Sequence, residues 1–309
     1  MPSRKISVIG AGNVGAVVAL KIVENALADV VLVDIAEKLS IGKALDISHS
    51  ASIAGIDCKV VGTSDYSLTA ESDIVVMTAG IARKPGIKKE DLLQTNYQVV
   101  KNCVEAFIRY SPNAILIIVT DPLEVMSYVA YKFSNLPKNK VIGITGMADS
   151  ARMKFLLSEK LDVPVDSINI SFIGGSGEDS VPLLNLASVS GKSLLSILSK
   201  REVEEIVKKA KNLDEELFNF YQTSSPCYAP AFAVYQIAEA VILDLKKNLL
   251  FSTLLNGEYK QYDIFAGVLG EIGKNGVEKI IEFELSKEET IQFQNSLNHI
   301  REMINLLNL

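Results

Sequence analysis

The sequence predicts an α/β protein in which a Rossmann-type, doubly wound parallel sheet is followed by an α+β domain. Short β-branched runs alternate with helical patterns until about residue 145, and the alternation then stops. A glycine-rich turn also follows the first apolar run directly, as it does in dinucleotide-binding sheets. We therefore expect a dinucleotide-binding domain at residues 1–145 and a substrate and catalytic domain at residues 146–309.

Six strands are predicted in the first half. Several of them are apolar at every position, which is typical of strands that helices cover on both faces of a parallel sheet. The six runs are Lys5–Ile9, Val30–Val33, Lys59–Val61, Ile74–Met77, Ala114–Val119 and Val141–Ile144.

The second half mixes helices with strands. Its predicted helices lie near Asp149–Lys160 and Ala229–Lys246, with a long amphipathic stretch at Lys200–Tyr221. Its predicted strands lie near Ile168–Ile173, Leu249–Leu255 and Asp263–Leu269. A last helix opens with Ser286 and Glu289 in capping-box spacing. The apolar stripe predicted for that helix is Ile291, Leu297, Ile300 and Ile304.

The composition excludes several classes of protein. The 309 residues are 48% hydrophobic and 22% charged, close to the globular average, so the chain is expected to fold throughout. A net charge of −6 without a long basic run argues against a nucleic-acid partner. The longest apolar runs have the length of a strand, whereas a membrane helix needs about 20 residues. No membrane partner is therefore expected.

The chain begins without the pattern of a secretory signal peptide, and we expect it to reside in the cytoplasm. Cys58, Cys103 and Cys227 are odd in number and widely spaced, which matches neither a disulfide framework nor a zinc site. They are expected to be reduced thiols, and no metal site is predicted.

The glycine-rich turn has the spacing of a dinucleotide-binding fingerprint. Gly10, Gly12 and Gly15 lie between the first strand and a helical pattern, where they allow a tight turn, a close approach to a pyrophosphate and close helix packing. The second strand ends in Asp34, whose carboxylate can accept both ribose hydroxyls and would repel a 2′-phosphate. NAD is therefore predicted as the cofactor, in preference to NADP.

Ten further blocks extend this pattern along the chain. They are Gly42–Asp46, Gly62–Tyr66, Ser72–Gly80, Ala82–Gly86, Val141–Gly143, Asp149–Arg152, Val181–Leu183, Tyr228–Pro230, Leu255–Tyr259 and Gly276–Ile280. In this order, they make the sequence resemble the lactate/malate dehydrogenase superfamily, and in particular its lactate-dehydrogenase-like malate dehydrogenases. The resemblance runs from end to end.

The resemblance implies an NAD-dependent hydride transfer between malate and oxaloacetate, a step of the tricarboxylic acid cycle. It assigns Arg83, on a loop that closes over the substrate, to the distal carboxylate, and Arg152 to the carboxylate clamp. It also implies a small dicarboxylate as the substrate and a homo-oligomer, dimer or tetramer, with His49 at a subunit contact. The cofactor contacts implied beside the glycines and Asp34 are Asn13, Val14, Asn96 and Val119.

The sequence departs from the family at the centre of the reaction. The family moves the substrate proton with a His in a Gly-Gly-His-Gly motif held by an Asp; here Asp149 is present, but the motif has Ser176 in the position of the His. A serine hydroxyl is far too weak an acid or base to replace an imidazole near neutral pH. Neither His49 nor His299 is an evident substitute, and His299 is expected to be solvated.

Other substrate positions have changed as well. Lys89 stands where the family has a second loop arginine that polarises the carbonyl, and Asp121 replaces an Asn that contacts substrate and nicotinamide. Further changes lie at Ala148, at Glu178 and Asp179, and in Ser224–Cys227. The sequence therefore predicts an NAD-binding relative whose malate/oxaloacetate activity is severely weakened or lost. Two alternatives remain open: an oxidoreductase retuned to another 2-hydroxy or 2-oxo acid, with water, Asp121 or Asp149 handling the proton, and a non-catalytic NAD-binding or partner subunit.

Overall fold

The computed structural model describes residues 4–81, 89–222 and 226–309, with the side chains of residues 89–91 outside the description. Within the described residues, the first half contains six parallel strands and four helices. The strands are β1 (Lys5–Ile9), β2 (Asp29–Val33), β3 (Val60–Thr63), β4 (Ile74–Met77), β5 (Ile115–Ile118) and β6 (Val141–Gly143). The helices are α1 (Asn13–Glu24), α2 (Glu37–Ala54), α3 (Lys89–Phe107) and α4 (Leu123–Ser134).

The six strands lie in the order β3-β2-β1-β4-β5-β6, which is the doubly wound order of a Rossmann sheet. Every residue of β4 and β5 is buried, because helices cover both faces of these central strands. The predicted α/β fold class is confirmed. The order reverses between β1 and β4, and ligands bind at the carboxyl ends of strands beside such a reversal.

The second half contains five helices and eight strands among the described residues. Its helices are α5 (Met147–Leu161), α6 (Leu194–Ile197), α7 (Lys200–Tyr221), α8 (Tyr228–Ile242) and α9 (Lys287–Asn305). Its strands are β7 (Ile168–Asn169), β8 (Phe172–Gly174), β9 (Ser180–Pro182), β10 (Ser188–Val189), β11 (Lys192–Ser193), β12 (Lys247–Asn256), β13 (Tyr262–Gly273) and β14 (Gly276–Ile281).

One sheet runs through both halves. Strand β12 pairs antiparallel with β6 at Ser252 and Gly143, and the order continues through β13 to β8 and β9. Strand β14 pairs with β13, which gives an eleven-stranded sheet in the described chain. A separate three-stranded sheet, in the order β11-β10-β7, packs with α5 and α7 around the buried Met153 and Leu157. The two halves are therefore joined by strand pairing.

Three predictions for the second half needed correction. The apolar run near Ile168–Ile173 forms two short strands that belong to different sheets. The helix predicted to end at Lys246 ends at Ile242, and Lys246 has a left-handed φ of 50°. In α9 the capping box is present, but Ile291 is 62% exposed and Phe293 takes its place in the buried stripe.

Candidate active site

A cavity of about 420 Å³ lies where the carboxyl ends of β1, β4, β5 and β6 meet helices α5, α7 and α8. Residues of the glycine turn line one side of it. On the other side, side chains from the second half line it: Ala148, Asp149, Arg152, Ser176, Asp214 and Phe218. The cavity therefore joins the predicted cofactor residues to the predicted substrate residues.

The glycine turn has the shape that a pyrophosphate requires. Gly10 has a left-handed φ of +104°, and a Cβ there would lie 2.7 Å from the backbone nitrogen of Ala79. A Cβ on Gly12 would meet no atom within 4 Å in the described chain, so the backbone faces open space at this position. Helix α1 begins directly after Gly12, and among the described residues no side chain caps its N-terminus. The turn and the helix N-terminus therefore fit a bound pyrophosphate.

Asp34 lies at the end of β2 and is held in place by the backbone. Its Oδ2 accepts a hydrogen bond from Ala11 N at 2.7 Å, and its Oδ1 accepts one from Ala36 N at 2.8 Å. Each carboxylate oxygen has a second lone pair. The carboxylate is thus oriented at the edge of the glycine turn, where the ribose of a dinucleotide would lie.

Lys43 is a residue of this site to which the sequence analysis assigned no role. Its Nζ reaches from α2 to the carbonyl oxygens of Ala11 and Gly12, at 2.7 and 3.1 Å. Burial lowers the pKa of Lys43, and the neighbouring Asp34 opposes that shift. The available signal was its place in Gly42–Asp46, one of the blocks that carry the family resemblance. The ammonium group fixes the turn through its carbonyl groups.

The other predicted cofactor residues occupy two kinds of position. Asn13, Val14 and Val119 line the cavity directly. Asn96 is buried behind its wall, where it donates to the Asp121 carbonyl at 2.7 Å and accepts from Ile81 N at the same distance. Asn96 therefore braces the chain after β4 and β5, and its amide does not line the cavity.

Asp149 and Arg152 lie one turn apart on α5 and form an ion pair, with 3.0 Å between Asp149 Oδ1 and Arg152 Nη1. The other terminal nitrogen of Arg152 lies 2.7 Å from Asp214 Oδ1 on α7. Asp149 is buried, and Arg152 is only slightly exposed. The sequence gives no sign of this role for Asp214, because it lies 62 residues from Arg152 on an ordinary amphipathic helix.

Ser176 lines the cavity from the loop after β8 and contacts a second residue that sequence analysis missed. Its Oγ donates to Oε2 of Glu124 at 3.4 Å, and Thr145 Oγ1 donates to the other oxygen, Oε1, at 2.5 Å. Glu124 is only 3% exposed. The available signal was its place as an acidic residue in the otherwise largely apolar start of α4.

The loop that carries Ser176 is also held from outside the cavity. His299 Nδ1 on α9 lies 2.9 Å from Asp179 Oδ2, so the partly exposed His299 has a contact that the expectation of a solvated residue did not include. Lys211 Nζ on α7 donates to the Glu178 carbonyl at 3.0 Å. Burial lowers the pKa of Lys211, although Asp149 opposes the shift. The segment after Ser176 is thereby held at two neighbouring residues, Glu178 and Asp179.

The predicted substrate positions divide into those outside the described residues and those that line the cavity. Arg83, Ser224 and Ser225 lie outside the described residues, and the side chain of Lys89 is outside them as well. Asp121 and Ala148 do line the cavity. Among the described residues, the ionisable side chains lining it are therefore Asp121, Asp149, Arg152 and Asp214.

Comparison with known proteins identifies the family. Residues 4–143 match the family model of the lactate/malate dehydrogenase NAD-binding domain, and residues 147–308 match that of the lactate/malate dehydrogenase α/β C-terminal domain. The chain belongs to the lactate/malate dehydrogenase family. It is similar to the malate dehydrogenase of Chlorobium limicola, with 42% identity over 304 residues that cover 98% of each chain.

Solved structures of the family have the same fold. Malate dehydrogenase from Cryptosporidium parvum superposes with a TM-score of 0.97 at 35% identity, covering 99% of both chains. Lactate dehydrogenase from the same organism, solved with lactic acid and NAD, has a TM-score of 0.97 at 36% identity, covering 100% of this chain and 99% of that one. The protein is a malate-dehydrogenase-like oxidoreductase of this family, and its cofactor is NAD. Among the described residues, no helix is both long and apolar enough to cross a membrane.

Proposed function

We propose that the protein catalyses hydride transfer between malate and oxaloacetate at a severely reduced rate, because Ser176 stands where the family has its proton-relay histidine. The observation that carries the proposal is the arrangement around Asp149. This buried carboxylate, which in the family holds the imidazole, pairs here with Arg152, and Ser176 lines the same cavity. A hydroxyl cannot titrate near neutral pH as an imidazole does.

The described residues are better suited to orient the substrate than to transfer a proton to or from it. NAD, when bound at the glycine turn and Asp34, supplies the redox chemistry. Arg152 has the planar guanidinium that binds a carboxylate in two-point fashion, although Asp149 and Asp214 already occupy both of its terminal nitrogens. Each terminal nitrogen has a second N–H for a substrate carboxylate, which the two neighbouring aspartates would repel. The roles of Arg83 at the distal carboxylate and Lys89 at the carbonyl are part of the proposal by resemblance.

A retuned substrate is the second candidate, and the charge of the cavity favours it. Asp121, Asp149 and Asp214 all line the cavity. Carboxylates that face a dianion repel it, so a 2-oxo acid with less negative charge than oxaloacetate would be better tolerated. Reduction of pyruvate at a higher kcat/KM than oxaloacetate would support this candidate over the first.

Pairing of the protein with a second copy is also part of the proposal. Helix α2 exposes Ile41, Leu45, His49 and Ile53, each four residues from the next and so on one face. Helix α8 exposes Tyr228 and Phe232, and both helices pack against α1. Exposed apolar surface of this kind is typical of subunit interfaces. The same surface supports the alternative of a partner subunit, which would bind an active relative.

The cytoplasm is the proposed location. Cys58, Cys103 and Cys227 are free thiols, and burial raises the pKa of each. Unpaired cysteines are typical of a reducing compartment.

The proposed function is tested by NADH oxidation with oxaloacetate. We expect kcat/KM to be lower than in an ordinary malate dehydrogenase by at least about 10²–10⁴, the range that general acid–base catalysis supplies. A rate equal to that of ordinary relatives would contradict the proposal. No turnover with any 2-oxo acid, combined with tight NADH binding, would favour the binding-subunit alternative.

A further inference from the structure

The hydroxyl of Ser176 connects the cavity to a buried carboxylate behind it. Ser176 lines the cavity, and its Oγ lies 3.4 Å from Oε2 of Glu124, which is outside the set of residues that line the cavity. We propose that Glu124 is the proton reservoir of this enzyme and exchanges its proton with the substrate through the Ser176 hydroxyl. The inference rests on the proposed function, because it explains how a slow hydride transfer proceeds without an imidazole.

Three elements hold Glu124 in position for this role. The carboxylate lies in the first turn of α4, Thr145 follows β6, and Ser176 follows β8. Thr145 Oγ1 donates to Oε1 of Glu124, so one carboxylate oxygen is fixed and the other faces Ser176. Burial disfavours the ionised form of a carboxyl group, which allows such a group to carry a proton where an exposed one would not.

The charged groups near this pair come from several elements. Asp121 precedes α4, Asp149 and Arg152 lie on α5, and Asp214 lies on α7; all four line the cavity that Ser176 faces. His299 of α9 contacts Asp179, three residues after Ser176. Asp149 is engaged by Arg152 at 3.0 Å, and the Glu124 carboxylate accepts hydrogen bonds from the hydroxyls of Thr145 and Ser176, of which Ser176 lines the cavity and can pass a proton on.

The proton path balances in both directions. In reduction, bound NADH would supply the hydride, and the oxygen of the substrate carbonyl would take the proton of the Ser176 hydroxyl. The Ser176 oxygen takes the proton of the Glu124 carboxylic acid in the same movement, and Glu124 is left as a carboxylate. In oxidation, the substrate hydroxyl gives its proton to Ser176, which gives its own to Glu124. Serine acts only as a relay, so its weak acidity is no obstacle.

The kinetic test compares Glu124→Gln, which keeps the shape and removes the titration, with the parent and with Glu124→Asp. We expect E124Q to lower kcat for oxaloacetate at least about tenfold, part of the 10²–10⁴ that acid–base catalysis supplies, with little change in KM. The parent kcat should fall as pH rises through the titration of the acid, and E124Q should lose that fall. E124D should retain a pH dependence of kcat. Thr145→Val, which removes only the hydroxyl contact to Oε1 of Glu124, should retain that pH dependence as well.

Two additional measurements separate this inference from the proposed function. Ser176→Ala and E124Q should each cause nearly the loss of the double variant, since members of one relay are non-additive. Calorimetry in buffers of different ionisation enthalpy then counts protons taken up when NADH and N-oxalylglycine, a dicarboxylate whose amide carbonyl is not reduced, bind the parent and E124Q.

Greater proton uptake by the parent than by E124Q supports the relay even if turnover is too slow to follow. Equal proton uptake, or an unchanged kcat and pH profile in E124Q, would overturn the relay while leaving the proposed function standing. Failure of the parent to form a complex with NADH and this analogue would overturn both.

Discussion

Asp214 on α7 holds Nη2 of Arg152 at 2.7 Å, while Asp149 on α5 holds Nη1 at 3.0 Å. The one arginine of the cavity among the described residues thus has a carboxylate on each terminal nitrogen. Each terminal nitrogen has a second N–H for a substrate carboxylate, but the two aspartates offset the positive charge that would attract that carboxylate.

Removing the charge of Asp214 should therefore improve substrate binding. We expect Asp214→Asn to lower KM for oxaloacetate by about 3- to 10-fold, because a charged partner of Arg152 is replaced by a neutral one. Steady-state kinetics checks this, with Glu215→Gln as the control for charge removal at the neighbouring exposed position of α7. An unchanged or higher KM in D214N would show that Asp214 orients Arg152 for the substrate.

Cofactor preference should depend on Asp34. The protein is expected to bind NADH with micromolar-range affinity and to prefer it clearly to NADPH, because the carboxylate favours ribose hydroxyls and repels a 2′-phosphate. Asp34→Ala should weaken NADH binding about tenfold and reduce the difference in affinity between NADH and NADPH. Calorimetry with both cofactors measures this, and Asp57→Ala, at an exposed carboxylate, should change neither affinity. Equal affinities in the parent would contradict the prediction.

An imidazole at position 176 should restore part of the activity. Ser176→His places an imidazole in the cavity that Asp149 also lines, and we expect kcat/KM for oxaloacetate to rise at least about tenfold, less than the full 10²–10⁴. Adding Asp121→Asn and Lys89→Arg should gain more than the sum of the separate changes, since residues that act as a unit are non-additive. The measurement is kcat/KM of the parent and the variants. A triple variant no faster than the parent would mean that the defect lies elsewhere.

The exposed stripe of α2 should determine the oligomeric state. The parent is expected to be a dimer or tetramer at micromolar concentration, and Leu45→Asp should produce monomers by placing a charge in an apolar interface. Light scattering gives the mass. Ile291→Asp is the matched control, because Ile291 is also exposed, on α9. A monomeric parent would refute the interface.

The thermal stability of the protein should depend on pH through Glu202 in the N-terminal cap of α7. The hydroxyl and amide of Ser199 and the ammonium of Lys160 lower the pKa of Glu202 to about 2. Since the unfolded pKa is higher, the stabilisation is present above the ordinary carboxyl pKa and is lost as pH falls through about 2. Glu202→Gln should thus lower Tm by about 1–3 °C at pH 7, and the difference from the parent should disappear near pH 2. Glu216→Gln, exposed on the same helix, should not change Tm.

The sequence predicted those parts of the molecule that depend on neighbours in the chain. The glycine turn, Asp34 and the two serine caps follow local rules of backbone geometry. The partners Asp214 and Glu124 could not be predicted, because they meet Arg152 and Ser176 only after distant elements pack together. Ile291 was misassigned because it is six residues from Leu297 and so lies well round the helix, whereas Phe293 is four residues away and on the same face.

The pairing of β6 with β12 at Gly143 and Ser252 has a consequence for the way the protein comes apart. In an enzyme whose halves are joined by a hinge, each half can unfold separately. Here the junction between the halves is a pair of neighbouring strands, β6 and β12, inside one continuous sheet. Separating β6 from β12 would expose the buried strands β5 and β6 together with the buried centre of β12. We therefore expect heat or denaturant to unfold the two halves in a single cooperative transition. A substitution in the cavity that destabilises one half should lower the unfolding temperature of the whole protein.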